Sequence, residues 1–194
     1  MRHKGRLLIA TCLFLLAFTA ASQDWKQVYN EALSLYQNQK YQEALSQGKQ
    51  ALALSRSLDT KSQAYTLQLL TSICLESNKV DEGLTWITEE EYLFQKIEGT
   101  GSAAYIEGLR KHSLMLLEKG SYPESREKCT TALGAMKANK QQSTLTYATM
   151  LAQGGQLAAL MGDFTGASVS ACANLQCMRH YLCPRFFEIG TLLP

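Results

Sequence analysis

An apolar residue followed three positions later by a small one recurs four times along this chain at nearly constant spacing. The apolar anchors lie 39, 42 and 42 residues apart and are Tyr41, Val80, Tyr122 and Phe164. The small partners are Ala44, Gly83, Ser125 and Ala167. Self-similarity at such a period indicates stacked structural repeats, and it constrains the fold more than any other feature of the sequence.

Each anchor follows a turn-like pair of residues, and each turn follows a second helical stretch. The turn pairs are Gln39-Lys40, Asn78-Lys79, Gly120-Ser121 and Gly162-Asp163. In the upstream stretches apolar and small residues advance by four and three positions, as Val28, Ala32 and Leu35 do. This spacing keeps them on one helical face. The sequence therefore predicts an all-α chain built from helix, turn and helix.

Small residues at two sites of each unit have a steric reason. Two antiparallel helices joined by a tight turn approach closely only where neither side chain is bulky. The predicted crossings pair Ala32 with Ala44, Thr71 with Gly83, Ser113 with Ser125, and Gly155 with Ala167.

Helix starts agree with this register, and one helix looks irregular. The stretch from Ser121 to Glu124 has the capping-box form, and Asp163 is a favourable N-cap. Three consecutive glutamates, Glu89 to Glu91, stand where other units have small or apolar residues. We expect that helix to bend or end early, with these glutamates and Glu98 on a solvated face.

These features resemble the tetratricopeptide repeats, and the longer unit resembles the kinesin light chain type. The stretch YATMLAQGGQLAALMGDFTGA, residues 147–167, is similar to arrays that precede caspase-like CHAT peptidase domains in bacterial proteins. The resemblance implies a right-handed α-solenoid of about four repeats over residues 24–175. The repeats would span 24–58, 63–98, 105–138 and 147–175. A generic helical bundle with accidental periodicity is the alternative.

The resemblance also implies a protein-binding groove lined by the first helix of each repeat. The family's groove-facing positions fall on Lys26, Tyr29, Asn30 and Leu33; on Tyr65, Gln68, Leu69 and Ser72; on Glu107, Arg110, Lys111 and Leu114; and on Thr149, Ala152, Gln153 and Gln156. Tyr29 and Tyr65 are the candidate anchors, because tyrosine combines apolar area with a hydrogen-bonding tip. Arg110 and Lys111 suit an acidic partner. Alternatively, these side chains are simply solvated.

The N-terminus has the form of an export signal. Basic MRHKGR precedes the apolar run LLIATCLFLLAFTA, and small residues follow, so cleavage after Ala21 or Ser22 is predicted. The apolar run is shorter than the roughly 20 residues that span a bilayer, which argues against the alternative of an uncleaved anchor. We expect residues 1–22 to be a signal peptide. We also expect the protein to be exported, with no stable membrane insertion after cleavage.

Charge excludes nucleic acid as a partner. The whole chain carries 19 Lys and Arg against 17 acids, and the signal removes three of those bases and no acid. The remaining 16 bases and 17 acids leave no basic surface for nucleic acid. The predicted partner is a protein or peptide.

No pattern for catalysis, a cofactor or a metal is evident. His3 leaves with the signal, and no Ser-His-Asp, HExxH or phosphate-loop pattern is present. His112 is expected to be a packing or surface residue. Cys74 and Cys129 occupy core positions as small apolar groups. Cys172, Cys177, His180 and Cys183 have non-standard metal spacing, so disulfide pairing after export is the preferred interpretation.

Residues 176–194 form an atypical apolar, cysteine-rich tail with a single acid. Either the tail folds back as a cap, with Phe186, Phe187 and Leu192 covering the fourth repeat, or the chain is a truncated or frame-shifted fragment. The primary hypothesis is a non-enzymatic, exported scaffold. The alternatives are the interaction module of a larger CHAT-type peptidase and a metal or redox role for the C-terminal cysteines. An uncapped apolar last repeat would also allow self-association.

Overall fold

A computed structural model describes residues 24–175 of the chain. The predicted signal peptide at 1–22 and the tail at 176–194 lie outside the described residues. Residues 24–175 form eight helices and no strand. The helices are α1 at 24–37, α2 at Tyr41–Ser55, α3 at Thr60–Glu76, α4 at Val80–Glu98, α5 at Ala103–Glu118, α6 at Tyr122–Ala138, α7 at Leu145–Leu160 and α8 at 164–175.

The chain divides into two compact units between Leu93 and Phe94. In the first unit α2 packs against α3, and Leu67, Leu70 and Ile73 are completely buried. In the second unit α6 packs against both α5 and α7. Its core is rich in methionine, with Met115, Met136 and Met150 buried. Each unit thus has its own apolar core.

The four turns within the helix pairs close in the same way. Their left-handed residues are Gln39, Asn78, Gly120 and Gly162, with φ of 61°, 55°, 80° and 77°. In each turn the next backbone N–H donates to the carbonyl five residues earlier, as from Lys40 to Leu35 at 2.9 Å and from Lys79 to Cys74 at 2.8 Å. This is the Schellman arrangement, which satisfies carbonyls that the helix end would leave unpaired.

Small residues meet where the paired helices cross. Ala32 and Ala44 are both completely buried. Ser113 Oγ donates to the Ser125 carbonyl at 2.8 Å, and Ser125 Oγ donates to the Ser113 carbonyl at 2.6 Å. A Cβ on Gly155 would lie 3.5 Å from the Ala167 carbonyl oxygen. Backbones therefore approach closely at Ser113 with Ser125 and at Gly155 with Ala167, and bulky side chains would separate them.

Side chains cap several helices, with one exception to the expected pattern. Asp59 accepts from the Ser62 N–H at 2.8 Å, and Asp163 accepts from the Gly166 N–H at 2.8 Å, which confirms the Asp163 cap. The capping box at Ser121 is wrong, because that side chain makes no cap hydrogen bond. Ser121 has a ψ of 66°, whereas the capping residue Asp59 is extended, with ψ of 159°.

The expectation that α4 ends early is also wrong. The helix runs without interruption from Val80 to Glu98. Glu90 is 0% exposed and Glu91 is 7% exposed, so these two glutamates do not lie on a solvated face. Thr71 of α3 donates its hydroxyl to Glu90, which places that carboxylate in the interior with a polar partner.

None of the helices described here combines the length and the apolar composition that crossing a lipid bilayer requires.

Candidate functional site

Three aromatic side chains of α1 and α3, which we call the aromatic cluster, form the most distinctive surface of the first unit. They are Trp25, Tyr29 and Tyr65, and each is half-buried. Trp25 and Tyr29 are one helical turn apart, and their ring centroids lie 5.4 Å apart with planes inclined by 32°. The cluster presents partly exposed rings on helices α1 and α3.

A hydrogen bond between the two helices fixes this geometry. The Trp25 indole Nε1 donates to Thr66 Oγ1 at 3.0 Å. Thr66 is buried and donates in turn to the Ser62 carbonyl at 2.7 Å. Because the indole N–H is used within the protein, the ring face and edge are what Trp25 offers to a ligand.

The pKa of Tyr29 depends on its surroundings in the cluster. Burial raises the pKa of Tyr29 above its ordinary value, and the neighbouring Tyr65 raises that pKa further. The Tyr29 phenol is therefore neutral at physiological pH, when its hydroxyl can both donate and accept a hydrogen bond.

Helices α1 and α3 also carry polar and cationic groups. Lys61 Nζ lies 5.9 Å from the centroid of the Tyr65 ring, at the distance of a cation–π contact. Lys26 and Asn30 are exposed on α1, and Gln68 and Ser72 are half-buried on α3. An apolar centre with a polar rim is the usual anatomy of a protein-binding surface.

In the second unit, the two predicted cationic groove residues, Arg110 and Lys111, are paired or buried within the protein. Arg110 Nε and one terminal nitrogen donate to Glu107 at 2.8 and 2.6 Å, so the guanidinium is engaged by its own helix. Lys111 is only 1% exposed. The suggestion that Arg110 and Lys111 meet an acidic partner does not fit this arrangement, because one charge is paired and the other is buried.

One of the four predicted groove positions is buried in three of the four repeats. Asn30 is exposed, whereas its equivalents Leu69, Lys111 and Gln153 are buried. Gln153 Nε2 donates to Ser113 Oγ at 2.8 Å, which ties α7 to α5. Packing of the preceding helix pair covers Gln153, which is therefore a core residue and not a groove residue. On the same helix Ala152 and Gln156 are exposed.

Two residues were not predicted from the sequence: Trp25, a member of the aromatic cluster, and Lys61, its neighbour. Trp25 lies one residue before the first mapped groove position, and Lys61 lies four residues before Tyr65. The signal for Trp25 was available, since a tryptophan one helical turn before Tyr29 must share its face. Only the position of α3 relative to α1 shows that Tyr65 joins them.

The cysteines of the two cores are unreactive groups. Burial raises the pKa of Cys74 to about 12 and that of Cys129 to about 11. Both thiols are free, which confirms their expected role as small buried groups. His112 is buried as well, in agreement with a packing role.

Metal ligands are not assembled in the part of the chain that the structure covers. Among residues 24–175 no three His, Cys, Asp or Glu side chains are grouped to hold an ion. Cys172 is exposed on α8, and the other members of the C-terminal group, Cys177, His180 and Cys183, lie outside the described residues.

Comparison with solved structures identifies proteins with a similar fold. BtubC (BKLC) from P. vanneervenii matches with a TM-score of 0.66 and 12% sequence identity, over 82% of this chain and 71% of that chain. A putative kinesin light chain from Podospora anserina with nearly identical TPR-like repeats matches with a TM-score of 0.49 and 12% identity, over 79% of this chain and 94% of that one.

The fold is that of kinesin light chain-like tetratricopeptide repeat proteins. Tetratricopeptide helix pairs account for the constant turn, the small crossing residues and the inter-repeat bond from Gln153. No protein-family model matches the sequence. No curated protein matches it either. At 12% identity the likeness extends to the fold and not to any activity.

Proposed function

We propose that this tetratricopeptide repeat protein is an exported, non-enzymatic scaffold that binds a protein partner through the first helices of its repeats. The observation that carries the proposal is the aromatic cluster of Trp25, Tyr29 and Tyr65. Its rings are half-buried, and the Trp25 indole is held by a hydrogen bond to Thr66 at 3.0 Å. Rigid aromatic side chains of this kind supply large contact area at small entropic cost.

The surroundings of the cluster support binding to a polypeptide segment. Asn30 and Gln68 carry amide groups that can both donate and accept, as a peptide backbone requires. The neutral Tyr29 hydroxyl adds a further donor and acceptor near the centre. A few buried aromatic anchors inside a polar rim usually carry most of the binding energy of an interface.

The second unit is expected to contribute less binding energy. Arg110 is held by Glu107, and the exposed residues of α7 include the small Ala152 and the flexible Gln156. Flexible polar side chains lose conformational entropy when a partner immobilises them. Partner selection is therefore assigned mainly to α1 and α3.

Affinity measurements on the intact chain test the proposal. Peptides selected from a random library against the full chain are titrated against wild type and the Tyr65→Ala variant. We expect Tyr65→Ala to weaken binding about 30-fold or more, because a hot-spot aromatic contributes about 2 kcal/mol. Arg110→Ala is expected to change the affinity much less.

Tyr92→Ala is the matched control, since Tyr92 is an exposed tyrosine on α4 and is not part of the aromatic cluster. Circular dichroism verifies that every variant keeps its helix content. Equal affinities for wild type and Tyr65→Ala, or a larger loss in Tyr92→Ala, would refute the placement of the binding surface.

A further inference from the structure

The last helix pair leaves an apolar cleft of about 540 Å³ between α7 and α8, which we call the terminal cleft. Its lining includes Leu151, Gly155, Ala167, Ala171 and Leu175. The hollow exists because most of these side chains are small. Leu175 is 65% exposed, although its neighbours in the cleft are apolar.

The equivalent surface of the preceding helix pair is covered. Forty-two residues earlier, the positions equivalent to Leu151, Gly155, Ala167 and Ala171 are occupied by Leu109, Ser113, Ser125 and Cys129, and all four are buried. Helix α7 provides the cover: Gln153 Nε2 donates to Ser113 Oγ at 2.8 Å, and Cys129 Sγ donates to the Met150 carbonyl at 3.3 Å. The terminal cleft is therefore the place where a following segment would pack.

The sequence directly after Leu175 has matching chemistry. Residues 176–194 contain one acid and many apolar residues. The same offset of 42 places Ile189 and Leu192 in register with Tyr147 and Met150, two buried residues of α7. The number of residues from Leu175 to Ile189 equals that from Leu133 to Tyr147, so the connection is long enough to bring Ile189 back to the cleft.

We propose that residues 176–194 fill the terminal cleft of their own chain, with Ile189 and Leu192 as the principal contacts. The occupant is assigned to the same chain because its connection starts at the edge of the cleft and its register reproduces that of α7. This intramolecular cover does not depend on the aromatic cluster or on any partner.

Photocrosslinking in the full 194-residue chain tests the assignment. The variant Gln156→p-benzoylphenylalanine carries the reactive group at an exposed residue that lines the cleft. We expect irradiation to join position 156 to a peptide from 176–194 of the same molecule. Val169→p-benzoylphenylalanine is the matched control, since Val169 is exposed on α8 outside the cleft, and we expect little of that product from it.

A second variant tests the named contacts. Adding Ile189→Asn and Leu192→Asn to the Gln156 variant should lower the yield of the product at least about tenfold, because each buried aliphatic side chain changes an equilibrium by about that factor. Mass spectrometry identifies the joined peptides. A product that joins two copies, no peptide product from position 156, or an undiminished yield in the combined variant would overturn the proposal.

Discussion

At the residue scale, two chemically different solutions close the helix crossings. The first pair uses Ala32 and Ala44, which are buried and apolar. The third uses Ser113 and Ser125, each of which donates to the other's carbonyl. Ser113 also accepts from Gln153, so its polar atoms are satisfied in the interior. Both solutions require side chains of small volume. Serine is tolerated beside alanine because buried hydroxyls cost stability only when they lack partners.

Enlarging one crossing residue should therefore destabilise the protein. Ala44→Leu is expected to lower the free energy of unfolding by about 1–3 kcal/mol through overpacking. Ala53→Leu is the control, because Ala53 is exposed on the same helix α2. Chemical denaturation followed by circular dichroism measures both variants. Equal stabilities of the two would contradict a close approach at Ala44.

Sequence patterns predicted crossing residues well and solvent exposure poorly. The periodicity of one helix shows which residues share a face, as it did for Ala32 and Leu35. It does not show what a neighbouring repeat covers, which is why Lys111 and Gln153 were assigned to the groove. Glu90 was missed for a related reason. Its charge suggested solvent, whereas the structure supplies the hydroxyl of Thr71.

At the element scale, helices α3 and α6 begin in different ways. Helix α3 starts with a side-chain cap, in which Asp59 accepts from the N–H and the hydroxyl of Ser62. Helix α6 starts directly after a Schellman turn, and Ser121 contributes its backbone N–H at 2.9 Å from the Leu116 carbonyl. Residue type alone indicated a cap at both Asp163 and Ser121, and the structure shows a capping hydrogen bond only at Asp163.

Substitutions at the two N-caps should differ in effect at neutral pH. Asp59→Ala is expected to cost about 0.5–2 kcal/mol, as loss of a capping side chain usually does. Ser121→Ala should cost less, because its side chain makes no cap hydrogen bond. Thermal unfolding of both variants measures the difference, and a larger loss in Ser121→Ala would contradict these cap geometries.

The Asp59 effect should also depend on pH. The Ser62 N–H is the main cause that lowers the pKa of Asp59 below its ordinary value. A carboxyl with a lowered folded-state pKa stabilises the fold above its unfolded pKa, and this contribution is lost as pH falls through the folded value. Wild type and Asp59→Ala should therefore become more similar in stability under strongly acidic conditions.

At the scale of the whole molecule, the proposed export determines where the protein works. The leader-like segment of residues 1–22 contains three of the 19 basic residues, so its removal leaves a nearly neutral chain. The two buried thiols, Cys74 and Cys129, are compatible with an oxidising compartment, because raised pKa values keep them protonated. The hypothesis of a larger CHAT-type peptidase that contains this array stays a prediction.

Export makes a definite prediction about the mature protein. Expressed with its own leader in a secreting host, the chain should appear outside the cytosol with an N-terminus at Ser22 or Gln23. Intact-mass measurement and N-terminal sequencing check this, and a variant with Leu15→Arg and Leu16→Arg in the apolar run should stay in the cytosol uncleaved. Recovery of exported protein that still begins at Met1 would contradict cleavage.

The turns within the helix pairs have a consequence for how such a chain changes over generations. Gln39, Asn78, Gly120 and Gly162 share one backbone conformation and one bonding pattern despite their different side chains. The bend is supplied by main-chain groups that every amino acid except proline carries at the donor positions. Gene segments that encode a helix pair can therefore be duplicated, lost or changed in sequence while the same turn is kept. The number of helix pairs in the array can then change from one generation to later ones.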